Sequence, residues 1–168
     1  MKKPKVLYVA AQTKGIKELI PTKGNCRDKD EGAVIFATPD KALASIFLIK
    51  NHNDSWTNLG YFGETPYVVI KMDKDEFLEK DGGGSIYEVS SDNFNYNPNL
   101  GMREKEWTSS KPVKPLKENS YDSALDTMVE NGVNVYFVKK KTFENIKNSK
   151  DHGLSILSSL TSENQKRI

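Results

Sequence analysis

The stretch EGAVIFATPDKALASIF, residues 31–47, constrains the fold most. Ala33 to Ala37 has the length and composition of a buried strand. It runs into Thr38-Pro39-Asp40, which is helix-start chemistry: a hydroxyl residue suited to an N-cap, a proline suited to the first helical position, and an acid that complements the helix dipole. Apolar residues then recur at Ala42, Leu43, Ile46, Phe47 and Ile49, along one helical face. A strand that becomes an amphipathic helix so abruptly must fold that helix back onto its own sheet. The spacing predicts an N-cap at Thr38, its hydroxyl bonded to a backbone N–H near Lys41. It also predicts burial of Ala42, Leu43, Ile46 and Phe47 against the sheet.

Around this corner the chain reads as an irregular alternation of elements. Val6 to Ala11 is a strand. Ile16, Leu19 and Ile20 have the spacing of one helical turn, which Pro21 ends. Residues 21–32 and 51–60 read as polar loops, the second carrying Trp56. Pro66 to Met72 and Ser85 to Ser90 read as strands, with a helical turn over Asp75 to Lys80 between them. Gly82-Gly83-Gly84 lacks the GK[ST] and the following helix of a phosphate loop, so a hairpin-type turn is expected. Residues 93–101 form a loop, and Pro112 and Pro115 restrict residues 102–116 to an extended or edge segment. Ser120 reads as the cap of a helix with Tyr121, Ala124, Leu125, Met128 and Val129 on its apolar face, ended by Asn131-Gly132. A strand over Val133 to Val138 and a short helix over Thr142 to Asn148 follow. Leu154 to Leu160 has apolar residues for docking, and residues 161–168 are expected to fray. Helices and strands in this order, without a regular βαβ repeat or a dividing linker, predict one α+β domain with its core over residues 5–138.

Composition limits the function classes. A chain of 168 residues can bury a full core, and seven Phe, seven Tyr and two Trp supply bulk for it. Lys and Arg total 25 against 23 Asp and Glu, so a net charge of +2 gives no overall field for nucleic acid. The Lys-rich stretches 111–117 and 139–141 keep a local nucleic-acid patch open as an alternative. The single cysteine, Cys26, forms no internal disulfide and fits a reducing, cytoplasmic setting. Its basic neighbours would lower its pKa, but no companion residue completes a nucleophile or metal set. His52 and His152 share no ligand spacing, so no metal is expected. The apolar run after the basic N-terminus is too short for a signal peptide, and no stretch approaches a membrane span.

Three short stretches carry a resemblance. Leu7-Tyr8-Val9-Ala10 resembles the opening strand of the ADP-ribosyltransferase-like superfamily, in the form usually written L-Y-H. Phe36-Ala37-Thr38-Pro39-Asp40-Lys41-Ala42-Leu43-Ala44 resembles its second strand and helix. Glu106-Trp107-Thr108-Ser109, with Pro112-Val113 behind it, resembles its late, glutamate-bearing strand. The resemblance spans residues 5–116. It implies a split-sheet α+β fold that binds NAD, with Tyr8, Phe36, Thr38, Lys41 and Trp107 at the cofactor and Glu106, then Glu104, as catalytic carboxylates. Breaking the bond between ribose and nicotinamide puts positive charge on the sugar, and a carboxylate beside it stabilises that charge. Tyr8, Phe36 and Trp107 offer rings for stacking, and Thr38 and Lys41 stand at a helix start suited to phosphate. Residues two apart on an extended strand share a face, so Glu104 and Glu106 are expected to enter one cleft together. Val9 stands where the L-Y-H form has its histidine. The resemblance therefore implies either a divergent transferase or hydrolase acting on NAD, or a non-enzymatic binding module on the same fold.

Overall fold

The computed structural model describes residues 2–23 and 32–167; Cys26 lies outside them. The protein is an α+β domain, and its described residues form three small sheets. In the first, β5 (Gly84–Ser90) lies between β1 (Val6–Ala11) and β7 (Lys117–Tyr121), antiparallel to both. In the second, β2 (Ile35–Ala37) pairs antiparallel with β6 (Trp107–Ser109). In the third, β4 (Thr65–Lys71) runs antiparallel to β3 (Thr57–Phe62) and parallel to β8 (Asn134–Val138). The helices are α1 (Lys41–Ile46), α2 (Lys74–Lys80), α3 (Ala124–Glu130), α4 (Lys140–Lys147), α5 (Leu154–Ser158) and α6 (Glu163–Lys166). None of the described helices is long and apolar enough to cross a membrane.

The strand periodicity divides the core. Along β4, Val68 and Ile70 face a central core that includes Leu43 and Ile46 of α1, Leu125 and Met128 of α3, and Ile86 of β5. Tyr67 and Val69 face the other way, where Phe143 and Ile146 of α4 and Leu157 of α5 cover the third sheet. A strand buried on both faces reads as a continuous apolar run, as β4 does. A further cluster lies on the opposite side of β1 and β2, with Leu7, Val9, Ile35, Ala37, Tyr87 and Trp107. The expected burial of α1 holds for Leu43 and Ile46, while Ala42 and Phe47 are only half-buried at its margin.

Several segments differ from expectation, each for a local reason. The loop expected over residues 51–60 contains most of β3, whose Asn58 and Gly60 disguise the strand. Gly60 is there because a β-carbon would stand 2.6 Å from the Tyr67 hydroxyl, so the strand makes room for that ring. Leu19 sits in a bridge with Val113 and not in a helical turn. Ser120 belongs to β7, a polar edge strand formed by its pairing with β5, and Ser123 caps α3 by accepting the Asp126 N–H. The three glycines join α2 to β5 and form no hairpin. Ahead of them Asp81 serves α3 from across the fold. Its Oδ1 accepts the N–H groups of Gly83 (3.0 Å) and Ala124 (2.7 Å), and its Oδ2 accepts the Leu125 N–H and the Ser123 hydroxyl, both at 3.0 Å. The first-turn donors of α3 are thereby satisfied by a residue distant in sequence.

The terminal segment expected to fray is instead anchored. Ser162 and Gln165 form a capping box at α6. The Glu163 side chain is 2% exposed, with Lys74 Nζ at 2.8 Å and Lys166 Nζ at 3.0 Å. Burial pushes its carboxyl pKa up, but the two ammonium groups outweigh burial and hold it below the usual value. A depressed folded-state pKa gives stability that is complete above the unfolded value, about 4.5, and is lost as pH falls through the folded value. Glu163→Gln is accordingly expected to cost about 1 kcal/mol at pH 7, since both lysines are half-exposed. The gap between denaturant curves of the variant and wild type should be constant well above pH 4.5 and shrink as pH falls below it. A difference that stays equal from pH 7 down through the acid unfolding transition would rule out the ion pairs as the cause.

Candidate functional site

The register of the sheets gathers the three stretches that carry the sequence resemblance. Tyr8 and Thr38 form a bridge, with Tyr8 N–H donating to the Thr38 carbonyl at 2.8 Å and Thr38 N–H to the Tyr8 carbonyl at 3.0 Å. Ala37 pairs with Trp107 and Phe36 with Thr108. Continued by one residue, this register sets Glu106 opposite Thr38. Tyr8, Thr38 and Glu106 therefore stand on one rung, and residues on a rung point to the same face. Phe36, two residues from Thr38, shares that face, and its ring lies 4.7 Å from Phe47.

The same alternation removes Trp107 from this face. Trp107 packs in the cluster of Val9 and Ala37 on the opposite side, 4% exposed, with its ring 4.9 Å from Tyr96. It cannot stack on a ligand held beside Glu106. Nor do Glu104 and Glu106 share an extended strand. Arg103–Lys105 form a single 3-10 turn, with Arg103 at φ +55°, so Glu104 projects as an exposed residue while Glu106 is 9% exposed. The Glu104 carbonyl accepts the Trp107 indole N–H at 2.7 Å, which ties the turn to the sheet. Lys41 opens α1, half-buried.

Thr38 is not the helix cap. Both of its backbone groups are bonded to Tyr8, so it is still a sheet residue, and its hydroxyl accepts the Asp40 N–H at 3.1 Å. Asp40 takes the capping role, with Oδ1 accepting the Ala42 N–H at 3.0 Å. Its other oxygen, Oδ2, accepts the Tyr61 hydroxyl at 2.7 Å. Asp40→Ala should cost about 1.5 kcal/mol, from the loss of the cap and of the Tyr61 acceptor, and Asp40→Asn less, because an amide oxygen still caps. Equal urea midpoints for wild type and Asp40→Ala would refute this assignment.

Tyr61 completes the site, and its place on β3 hid it from the sequence reading. Burial raises its phenol pKa far above the ordinary value, helped by the bond to Asp40 and the negative charges of Asp40 and Glu106. It thus stays a neutral donor at any physiological pH. Lys105 Nζ lies 5.4 Å from the centre of its ring, a cation–π distance. The Glu106 carboxylate lies against Gly101, where a β-carbon would stand 1.6 Å from Oε2. Outside this cluster a cleft of about 510 Å³ is lined by Pro39, Tyr61, Met102, Glu104 and Lys105. Two carboxylates, a phenol and an ammonium group thus meet at one corner of the fold. Such a set can stabilise a developing positive charge and bind hydroxyl groups.

No protein-family model matches the chain, and no curated protein or solved structure shows significant similarity to it.

Proposed function

We propose that the chain is a divergent ADP-ribosyltransferase-like protein that takes NAD or a related nucleotide beside Glu106, Tyr8 and the Thr38–Asp40 corner. The observation that carries this reading is the common rung: stretches separated by up to about 100 residues in sequence bring Tyr8, Thr38 and Glu106 to one face. In this reading Glu106 stabilises the ribosyl cation as the glycosidic electron pair leaves with nicotinamide, and water or a target nucleophile then attacks the sugar carbon. Tyr61, held neutral and bonded to Asp40, fixes the shape of the pocket.

A second reading, a binding module without chemistry, is favoured by Val9. Its side chain is apolar and packs into the cluster behind the sheet, away from Glu106. Calorimetry with NAD together with an assay of nicotinamide release separates the two. Saturable binding with release supports the enzyme, and binding without release supports the module. Absence of binding to the folded chain overturns both.

A further inference from the structure

A second cleft, of about 660 Å³, lies past the other end of β1 and α1. That volume is in the range that encloses small organic ligands. Its floor is apolar, built from Trp56, Met72 and Phe77. Three polar side chains around that floor are bonded within the protein. The Trp56 indole N–H donates to the Asn51 carbonyl at 2.8 Å, which holds the ring and leaves it only π surface to offer. The Gln12 amide donates to the carbonyls of Phe47 (3.0 Å) and Ile49 (3.3 Å). The lining carboxylate, Asp81, has both oxygens occupied by the start of α3 and by Gly83.

Two ammonium groups are what the cleft has left to offer a charge. Lys50 and Lys80 line it and are exposed. Lys80 reaches Glu76 at 3.1 Å, but that pair is solvent-facing and weakly held. Lys50 has no acidic partner among the described residues. This lining suits a ligand that joins a flat ring to an anion, and two lysines favour a doubly charged phosphate over a single carboxylate.

We propose that this cleft binds a nucleoside monophosphate, with the base against Trp56 and Phe77 and the phosphate between Lys50 and Lys80. The site is separate from the Glu106 corner and does not rest on the NAD reading.

AMP titrated into the full chain tests it by tryptophan fluorescence and calorimetry. Wild type should show saturable quenching. Trp56→Phe, which keeps Trp107, should lose the quenching while thermal melting confirms that it is folded. Lys50→Gln should weaken AMP binding about fivefold and flatten its salt dependence, the scale of a partly screened charge contact. Adenosine and inorganic phosphate, each carrying half of the ligand, should bind at least about tenfold more weakly than AMP. The proposal fails if folded wild type shows no calorimetric binding at millimolar AMP, if Lys50→Gln binds unchanged, or if adenosine binds as tightly as AMP.

Discussion

Glu106→Gln is expected to lower nicotinamide release by about 10²–10³-fold, the usual loss when a group that stabilises transition-state charge is removed. NAD affinity should change little, because glutamine keeps the shape and the hydrogen-bonding reach of the side chain. The expectation rests on position. Glu106 stands on the rung of Tyr8 and Thr38, its carboxylate against Gly101 and within electrostatic range of the Tyr61 hydroxyl. Removing the charge should therefore act on the step that creates a cation and spare the binding of a neutral ribose. The two changes are separable: a fall in turnover at constant affinity marks an interaction made only in the transition state. A fall in both, with a lowered melting temperature, would mean that Glu106 holds the fold. Equal release by wild type and variant would remove Glu106 from the chemistry. Glu104→Gln serves as the comparison, and a loss of less than about threefold is expected because Glu104 sits on the exposed rim.

The sequence discloses some of this corner and hides the rest for reasons that can be stated. The run from Ala33 into Thr38-Pro39-Asp40 announced the passage from β2 to α1 within a few residues. It did not announce which residue caps the helix. Thr38 has the right hydroxyl, but a bridge to Tyr8 occupies both of its backbone groups, and that pairing is a long-range event no local pattern contains. The separation of Trp107 from Glu106 was available. Neighbours on an extended segment face opposite sides, so both could not enter one pocket. The placement of Glu104 was not available, because it depends on a turn in which Arg103 adopts a left-handed backbone. Tyr61 was hidden by the composition of β3, where Asn58 and Gly60 read as loop and the reason for the glycine is the Tyr67 ring of the neighbouring strand. The order of the three resembling stretches was legible only as order; their meeting on one rung is a property of the register.

The glycine triplet gives the other large effect and tests that same dependence on distant backbone. Gly83→Ala is expected to destabilise the fold by about 3 kcal/mol. Part of the cost is the backbone: Gly83 has φ +66°, a region that costs an alanine roughly 1 kcal/mol or more. The larger part is contact. A β-carbon on Gly83 would stand 2.1 Å from the Tyr121 carbonyl oxygen and 2.6 Å from the Asp122 carbonyl carbon. Those are backbone atoms at the end of β7, so relief requires shifting the strand. The shift would strain the Gly84–Tyr121 pair and the Gly83 N–H bond to Asp81, the residue that also caps α3. Overpacking of this kind typically adds about 1–3 kcal/mol. Gly82 supplies the control one position away, since a β-carbon there meets nothing within 4 Å. Gly82→Ala should be neutral within about 0.5 kcal/mol, or slightly stabilising through the unfolded chain. Denaturant unfolding of the two variants decides the matter. Amide hydrogen exchange should show faster opening at Ala124 and Leu125 in Gly83→Ala alone, because their donors depend on Asp81 keeping its place. Similar losses in both variants would mean that the triplet is needed for general flexibility, and the close approach of β5 to the end of β7 would no longer account for Gly83.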